Sequence, residues 1–546
     1  MSTVPVSVYV NGNLITSDPD QPAAAAMAVA GGQLLAVGGD QEVRAAVGPA
    51  AEVIDLGGRC VIPGLTDTHT HLARHALEVR TVECRDFVDP ANDSVAELMR
   101  RMQAAANDKR PGEWVIGTGA MRQVTRLAER CWPTRAEMDA AVPRHPAYIA
   151  FGSHVIVANS LALAAGGIDR DTPDPRGGHI DRLPDGEPSG LLLEHAQQTV
   201  ERDLTQIYGF DDLVESLRAS LLQAAARGVT CIHDMVQHPD LVRAYQVLYR
   251  QGQLPLRVGL LFRVVNADFS RDALPGLAFE NGFGDDMLWF NGAKLSIDGG
   301  FTGRSAAFKA SIDGHPLCEP IIRVDEQTLA ETVDIYNQAN IRMCVHAIGD
   351  LAVDQALDAF EKADTKPGGL RHRIEHFGNW LMTEERMARA KALGLTPVPN
   401  PPFLYYLGED AYDLLGGDEH YARDAFPFRT MVDYGFKVTA GSDGPGYYVI
   451  DGLRDMATLV TRTSFDGRSF DPAENLTVEQ ALTAQTIDSA WLGGKENSLG
   501  SLTAGKRADF VVLDCPDLYA CDPAALAELG VAATVVDGRV VHGSLD

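Results

Sequence analysis

Six side chains in this sequence have the types and positions to build one chemical site, and its histidines could hold a metal ion. His69 and His71 lie one residue apart in LTDTHTHL, straight after the apolar run RCVIPGL. Strand side chains alternate faces, so both imidazoles project from the same side, where two neutral nitrogens can bind one ion. By itself such a pair fits two hydrogen-bonded histidines equally well. The residues downstream change the balance: Lys294 in NGAKLSIDGG, His346 in MCVHAIGD, His376 in RHRIEHFG and Asp443 in VTAGSDGPG. Each lies at or near the end of a β-like run. Lys294 sits inside an otherwise apolar run, and a lone buried ammonium is costly unless it is paired or chemically altered.

Those residues need elements to bring them together. Eight β-runs precede helical patterns, at Cys60–His69, Val229–His233, Val258–Val265, Asn291–Ile297, Ile341–His346, Arg371–His376, Gly394–Pro399 and Phe436–Ser442. Strands alternating with helices predict an α/β fold, a (β/α)8 TIM barrel, whose chemistry gathers at the C-terminal strand ends. Between them, DDLVESLRASLLQAAARG spaces Leu213, Leu217 and Leu221 along one helix face, and DLAVDQALDAFEKA does the same with Val353, Ala356, Leu357 and Phe360. The stretch 74–210, between the first and second strands, is far longer than a normal connection. Its own runs, EWVIGTG and AYIAFGSHVIVANS, predict an inserted lobe. Residues 6–62 and 507–546 share short β-runs broken by turns, with Asp537-Gly538 suited to a hairpin. They predict a small β-sandwich built from both termini (1–60 and 500–546) flanking a barrel over 61–499.

The motifs in order resemble the metal-dependent amidohydrolase superfamily, in its YtcJ-like (amidohydrolase 3) branch, which includes N-substituted formamide deformylases. VIPGLTDTHTHL looks like the strand-one signature, and GSHVIVANSLAL, DTPDPRGGHI and GEPSGLLLE resemble the lobe motifs. KLSIDGGFTGRSAAF, HAIGDLAVDQALDAFE, RHRIEHF, AGSDGPG and GSLTAGKRADFVVLD follow in the family's order. The resemblance covers nearly the whole chain. It implies two divalent metal ions, most often zinc, and a CO2-derived carbamate on Lys294 that bridges them as an anion. His69 and His71 would hold one ion, His346 and His376 the other, with Asp443 touching the first. A water shared by two metals has a lowered pKa, so hydroxide can attack near pH 7. Asp443 would serve as base and then acid on an amide-type C–N bond, such as an N-acyl or N-formyl amine. The chain departs from the pattern after the aspartate, where GPGYYVIDG replaces an alanine-proline step, and at PVPNPPFLYYLGED, rich in proline and aromatics.

Several further residues carry two readings each. The resemblance places His154 on the lobe within reach of substrate, although a plain hydrogen-bonded histidine fits. Arg304, just after the fourth strand, could clamp a substrate carbonyl or carboxylate, or form a salt bridge that holds its own loop. His233 reads as packed behind the site, and Asp350 as the N-cap of the following helix. Strand alternation points Glu375 away from the site, to pair with Arg371 or Arg373 outside the barrel. Phe403, Tyr405 and Tyr406 could line an apolar leaving-group pocket or simply pack.

Composition narrows the class. The chain has 546 residues, 45% of them hydrophobic and 22% charged, ordinary for a globular protein. With 47 Lys plus Arg against 75 Asp plus Glu, the net charge of −28 disfavours nucleic acid and anionic membrane as partners. No signal peptide or membrane span is evident, and eight scattered cysteines without a CxxC pair read as reduced thiols. A cytoplasmic enzyme acting on a small molecule is expected, with a homodimer as the family's habit. The same ligands leave other reactions open: a urea, carbamate or lactone, or a decarboxylation. A mononuclear deaminase would lack the bridging lysine, and a metal-free binding scaffold would have lost ligands.

Overall fold

The computed structural model describes residues 5–545 except 86–90, 121–122, 153, 266–268, 302, 310, 313–314, 317–319, 415–424 and 446–448. Seven strands form one parallel sheet. From one edge they are Leu65–Thr70, Val229–Val236, Arg257–Arg263, Leu288–Ser296, Met343–His346, Arg373–Glu375 and Thr396–Val398, neighbours in sequence being neighbours in space. Their burial is nearly complete, as expected of parallel strands covered on both faces.

The remaining gap is spanned by residues 439–444. The Thr68 amide donates to the Ala440 carbonyl at 3.0 Å, Gly441 to Pro399 at 3.3 Å and Asp443 to His69 at 2.8 Å. The sheet is thus a nearly closed barrel of the TIM type. The predicted eighth strand, Phe436–Ser442, occupies the expected place but carries no continuous ladder. The chain is pressed too closely there: a Cβ on Gly441 would lie 2.4 Å from the Cβ of His69.

The first predicted strand also needs correction. Cys60–His69 is two strands, broken at Gly64, where a Cβ would lie 2.1 Å from the Thr230 hydroxyl. Cys60–Pro63 joins a six-stranded sheet with Asn13–Ile15, Ala23–Ala24 and three strands from the other end of the chain, Phe510–Leu513, Val531–Val536 and Arg539–Gly543. Leu65–Thr70 enters the barrel. A four-stranded sheet (Gln33–Gly38, Ala26–Ala30, Val6–Val10, Glu52–Asp55) lies beside it. Tyr9, Met27 and Val29 of the four-stranded sheet share an apolar cluster with Val61, Phe510, Val512 and Val535 of the six-stranded one. Asp537 and Gly538 both take positive φ, 52° and 72°, as the tight hairpin turn demands.

Between the first and second barrel strands lies a further six-stranded sheet, from Val82–Glu83 to Pro188–Glu194, with its own apolar clusters. Helix Phe210–Ala225 buries Leu213, Leu217 and Leu221 as their spacing predicts. Helix Asp350–Lys362 buries Val353, Ala356, Leu357 and Phe360, but its N-cap is Gly349. Asp350 instead accepts from the Lys309 amide at 2.7 Å, tying in the loop after the fourth barrel strand. Among the described residues no helix is long and apolar enough to cross a membrane.

Candidate metal centre

The barrel brings the six predicted residues to one end. His69 and His71 are buried, and their Nε2 atoms lie 3.0 and 3.3 Å from the same Asp443 carboxylate oxygen. One ligand atom from each of the three falls within 4.8 Å of the other two. Beside them, His376 Nε2 is 3.0 Å from His346 Nδ1. The His376 ring centre lies 4.9 Å from that of His69 and 4.6 Å from that of His346. Lys294 is fully enclosed, its Nζ against the Met235 sulfur at 2.9 Å.

Local conformation aims two of these groups. His376 and Asp443 have φ of 70° and 60°, a left-handed backbone rare for residues with a Cβ. Such strain clusters at functional sites. Here it turns each side chain inward as its segment ends. It also corrects the reading of Glu375. Alternation holds through Arg373–Glu375 and fails at His376, so both Glu375 and His376 face the interior. Glu375 is buried and accepts from Arg373 Nε and Nη2 at 2.7 and 2.8 Å. Its other contact is His69 Nδ1, at 2.5 Å. Of the two partners expected, Arg371 or Arg373 outside the barrel, Arg373 is the one that binds, and it does so inside the barrel, while Arg371 pairs with Glu496.

These outer partners fix where the imidazole protons sit. His69 donates through Nδ1 to Glu375, leaving a lone pair on Nε2. Asn400 Nδ2 donates to the Gly441 carbonyl at 2.9 Å, so its oxygen faces His376 Nδ1 at 2.8 Å, and His376 Nε2 is left bare. His346 Nε2 lies 3.2 Å from the Gly299 carbonyl, which leaves its Nδ1 bare. Burial keeps these rings neutral, holding His376 down to about 3 and His69, His71 and His346 well below the usual imidazole range; neighbouring cations add to it. Lone pairs therefore face one another and a carboxylate across 3.0 Å, which repels unless cations lie between. The donor set fits divalent metals, with outer hydrogen bonds orienting each ligand in the usual way. Burial also pushes Lys294 down to about 8 and Asp443 up to about 8, each opposed by the other's charge. A lysine so biased towards the neutral amine suits carbamate formation.

The intervening sheet supplies one wall. His154 is buried with its ring 6.3 Å from that of His346. Its Nδ1 is 2.9 Å from Glu194, which also binds Arg323, the Ser305 hydroxyl and the Gly300 amide. Glu194 itself has a φ of 53°. Arg304 is not brought into this cluster: it is exposed at the turn after the fourth strand, and no ion pair involves it among the described residues. His233 packs behind the site, near Arg373 and Trp289. Phe403 stacks on His376 at 5.4 Å, whereas Tyr405 and Tyr406 pack on Phe465. Of the departure at GPGYYVIDG, residues 446–448 lie outside the described residues.

Sequence reasoning overlooked Asn400, Glu194 and Arg263. Arg263 pairs in register with Lys294, and its charge is felt by His69, His71, Asp443 and His154. The available signal was position, since Arg263 ends a barrel strand and Asn400 follows one.

Comparison with known proteins identifies the family. The model of the amidohydrolase family matches residues 52–542. The chain belongs to the amidohydrolase family. Within it, the chain is 30% identical to the N-substituted formamide deformylase of Arthrobacter pascens, over 97% of both chains. It is also 30% identical to the putative amidohydrolase YtcJ of Bacillus subtilis (strain 168), over 90% of this chain and 91% of that one. Among solved structures, an uncharacterized metal-dependent hydrolase from Pyrococcus horikoshii superposes with a TM-score of 0.72 at 22% identity, covering 96% of this chain and 99% of that one. One from Pyrococcus furiosus gives 0.70 at 24%, over 95% and 100%. These two likenesses concern the fold. Family membership makes the protein a hydrolase.

Proposed function

We propose that this hydrolase cleaves an amide-type C–N bond in a small N-acyl or N-formyl amine, using two divalent metals, zinc being expected, and a carbamylated Lys294. The observation that carries the reading is the set of bare nitrogens: His69 Nε2 faces Asp443 at 3.0 Å and His376 Nε2 faces His346 Nδ1 at 3.0 Å, with the outer nitrogen of each ring held by Glu375, Asn400 or the Gly299 carbonyl. His69, His71 and Asp443 would hold one ion, and His346 and His376 the other, with the Lys294 carbamate between. When bound, the metals would supply an activated water and polarise the scissile carbonyl. Asp443 takes up a proton at its carboxylate and returns it to the departing nitrogen. Its surroundings favour the protonated form more than water does, which suits an acid that must hold that proton. Glu375 and Asn400 keep the imidazoles oriented, and His154 faces the substrate from the lobe.

In this reading residues 61–499 are the catalytic barrel, about 74–210 its inserted lobe, and 1–60 with 500–546 a composite β-sandwich. The name of the Arthrobacter pascens relative supports a formamide among the first substrates to try. The test is amine release from N-formyl, N-acetyl and N-carbamoyl amines by wild type and Lys294→Ala, with metal content measured on both. The expected result is release by wild type alone and two ions per chain. Full activity in Lys294→Ala without added short carboxylates would remove the bridging lysine. One ion per chain at full activity would point to mononuclear chemistry, and no release from any amide to another bond.

A further inference from the structure

Far from the metal centre, three cysteines from opposite ends of the chain meet. Cys60 opens the strand that leads through Gly64 to His69, while Cys515 and Cys521 bracket the turn CPDLYAC. The Cys515 side chain interacts with those of both Cys60 and Cys521. The Cys60 amide donates to the Cys515 carbonyl at 2.8 Å, which pins Cys515 against the terminal sheet. The turn folds Cys521 back over it. Asp517 accepts from the Tyr519 amide at 2.9 Å, the Cys521 amide donates to Leu518 at 3.3 Å, and the Cys521 thiol donates to the Asp517 carbonyl at 3.2 Å. Cys60 and Cys515 are buried, and Cys521 is half-exposed. Among the described residues, the three-ligand cluster lies in the barrel, so these sulfurs do not close into one of their own.

We propose that Cys515 and Cys521 are a modification site, a thiol pair that a small-molecule disulfide such as oxidised glutathione converts to an internal disulfide. Cys521, the reachable thiol, loses its proton and attacks one sulfur of the oxidant, releasing one reduced thiol and leaving a mixed disulfide. Cys515 then loses its proton and attacks the Cys521 sulfur, expelling the second reduced thiol. Two cysteine thiols are oxidised and one external disulfide is reduced to two thiols, so electrons balance. Cys60 and Cys515 are buried and Cys521 is half-exposed, so an external disulfide meets Cys521 first, and Cys515 is reached only through the mixed disulfide that forms beside it.

Cleavage after Arg507 and Arg539 places Cys515 and Cys521 in one tryptic peptide, and Cys60 falls in another, 60–74. Full-length protein is treated with oxidised glutathione, alkylated with iodoacetamide and digested, with exposed Cys131 as the reactivity control. The expected product is peptide 508–539 lighter by two hydrogens, with neither cysteine alkylated, and reversal by dithiothreitol. Cys521→Ser, at a half-exposed position, is expected to abolish the link without affecting folding. A lasting glutathione adduct on Cys521 beside a free Cys515 would overturn the proposal. So would a Cys60–Cys515 cross-link in its place, or no change while Cys131 reacts.

Discussion

Replacing Glu375 with Gln separates two roles that one carboxylate performs. Glu375 meets Arg373 at 2.7 and 2.8 Å and His69 Nδ1 at 2.5 Å, with all three side chains buried. The amide keeps the shape but loses the charge, and its NH2 group must face one of two donors. Stripping a buried ion of its partner costs about 3–5 kcal/mol. Arg373 keeps its bond to the Thr68 carbonyl at 2.6 Å, so the lower end of that range is expected. Loss of an outer hydrogen bond to a metal-bound imidazole typically weakens metal affinity by about 10–100-fold, or about 1.4–2.7 kcal/mol. Urea unfolding of metal-stripped protein reads the first effect, and metal retention against a graded chelator reads the second. A variant that is destabilised yet retains metal like wild type would refute the orienting role and leave Glu375 as a counter-ion for Arg373.

Two other predictions concern stability. Arg257 is buried and bound to Asp509 at 2.5 and 2.8 Å and to Asp537 at 3.1 Å, joining a barrel strand to the terminal sheet. Asp509→Asn should lower unfolding stability by about 3 kcal/mol, since one carboxylate remains; an unchanged urea midpoint would dismiss this pair as a tether. His372 accepts from the Met343 amide at 2.9 Å and donates to Asn337 at 3.1 Å, and burial holds it down to about 3. Below pH 6.5 the unfolded ring binds a proton that the folded ring refuses. Its contribution is thus intact above pH 6.5 and falls by about 1.4 kcal/mol per pH unit as pH drops towards 3. His372→Gln should flatten the stability–pH slope by that amount between pH 5 and 6, and parallel slopes would show the ring titrates normally.

The legible part of this protein is what local pattern dictates. Strand runs ending at or near histidine, lysine or aspartate announced the barrel and the candidate residues gathered at one of its ends, because a strand fixes which side chains share a face and a parallel barrel fixes which ends meet. Apolar spacing likewise gave helices 210–225 and 350–362. Local pattern failed where the backbone leaves its regular path. No periodicity announces the left-handed turn at His376, so Glu375 was expected outside and lies inside. Nor does it reveal the close passage at Gly441 that leaves the eighth segment without a ladder, or the break at Gly64 that divides one apolar run between two sheets. Asn400, Glu194 and Arg263 acquire meaning only through neighbours tens to hundreds of residues away. Residue type and order determined which atoms could bind metal. Tertiary packing decided which nitrogens are left bare to do so, because their protons are fixed by partners that only the folded chain brings within reach.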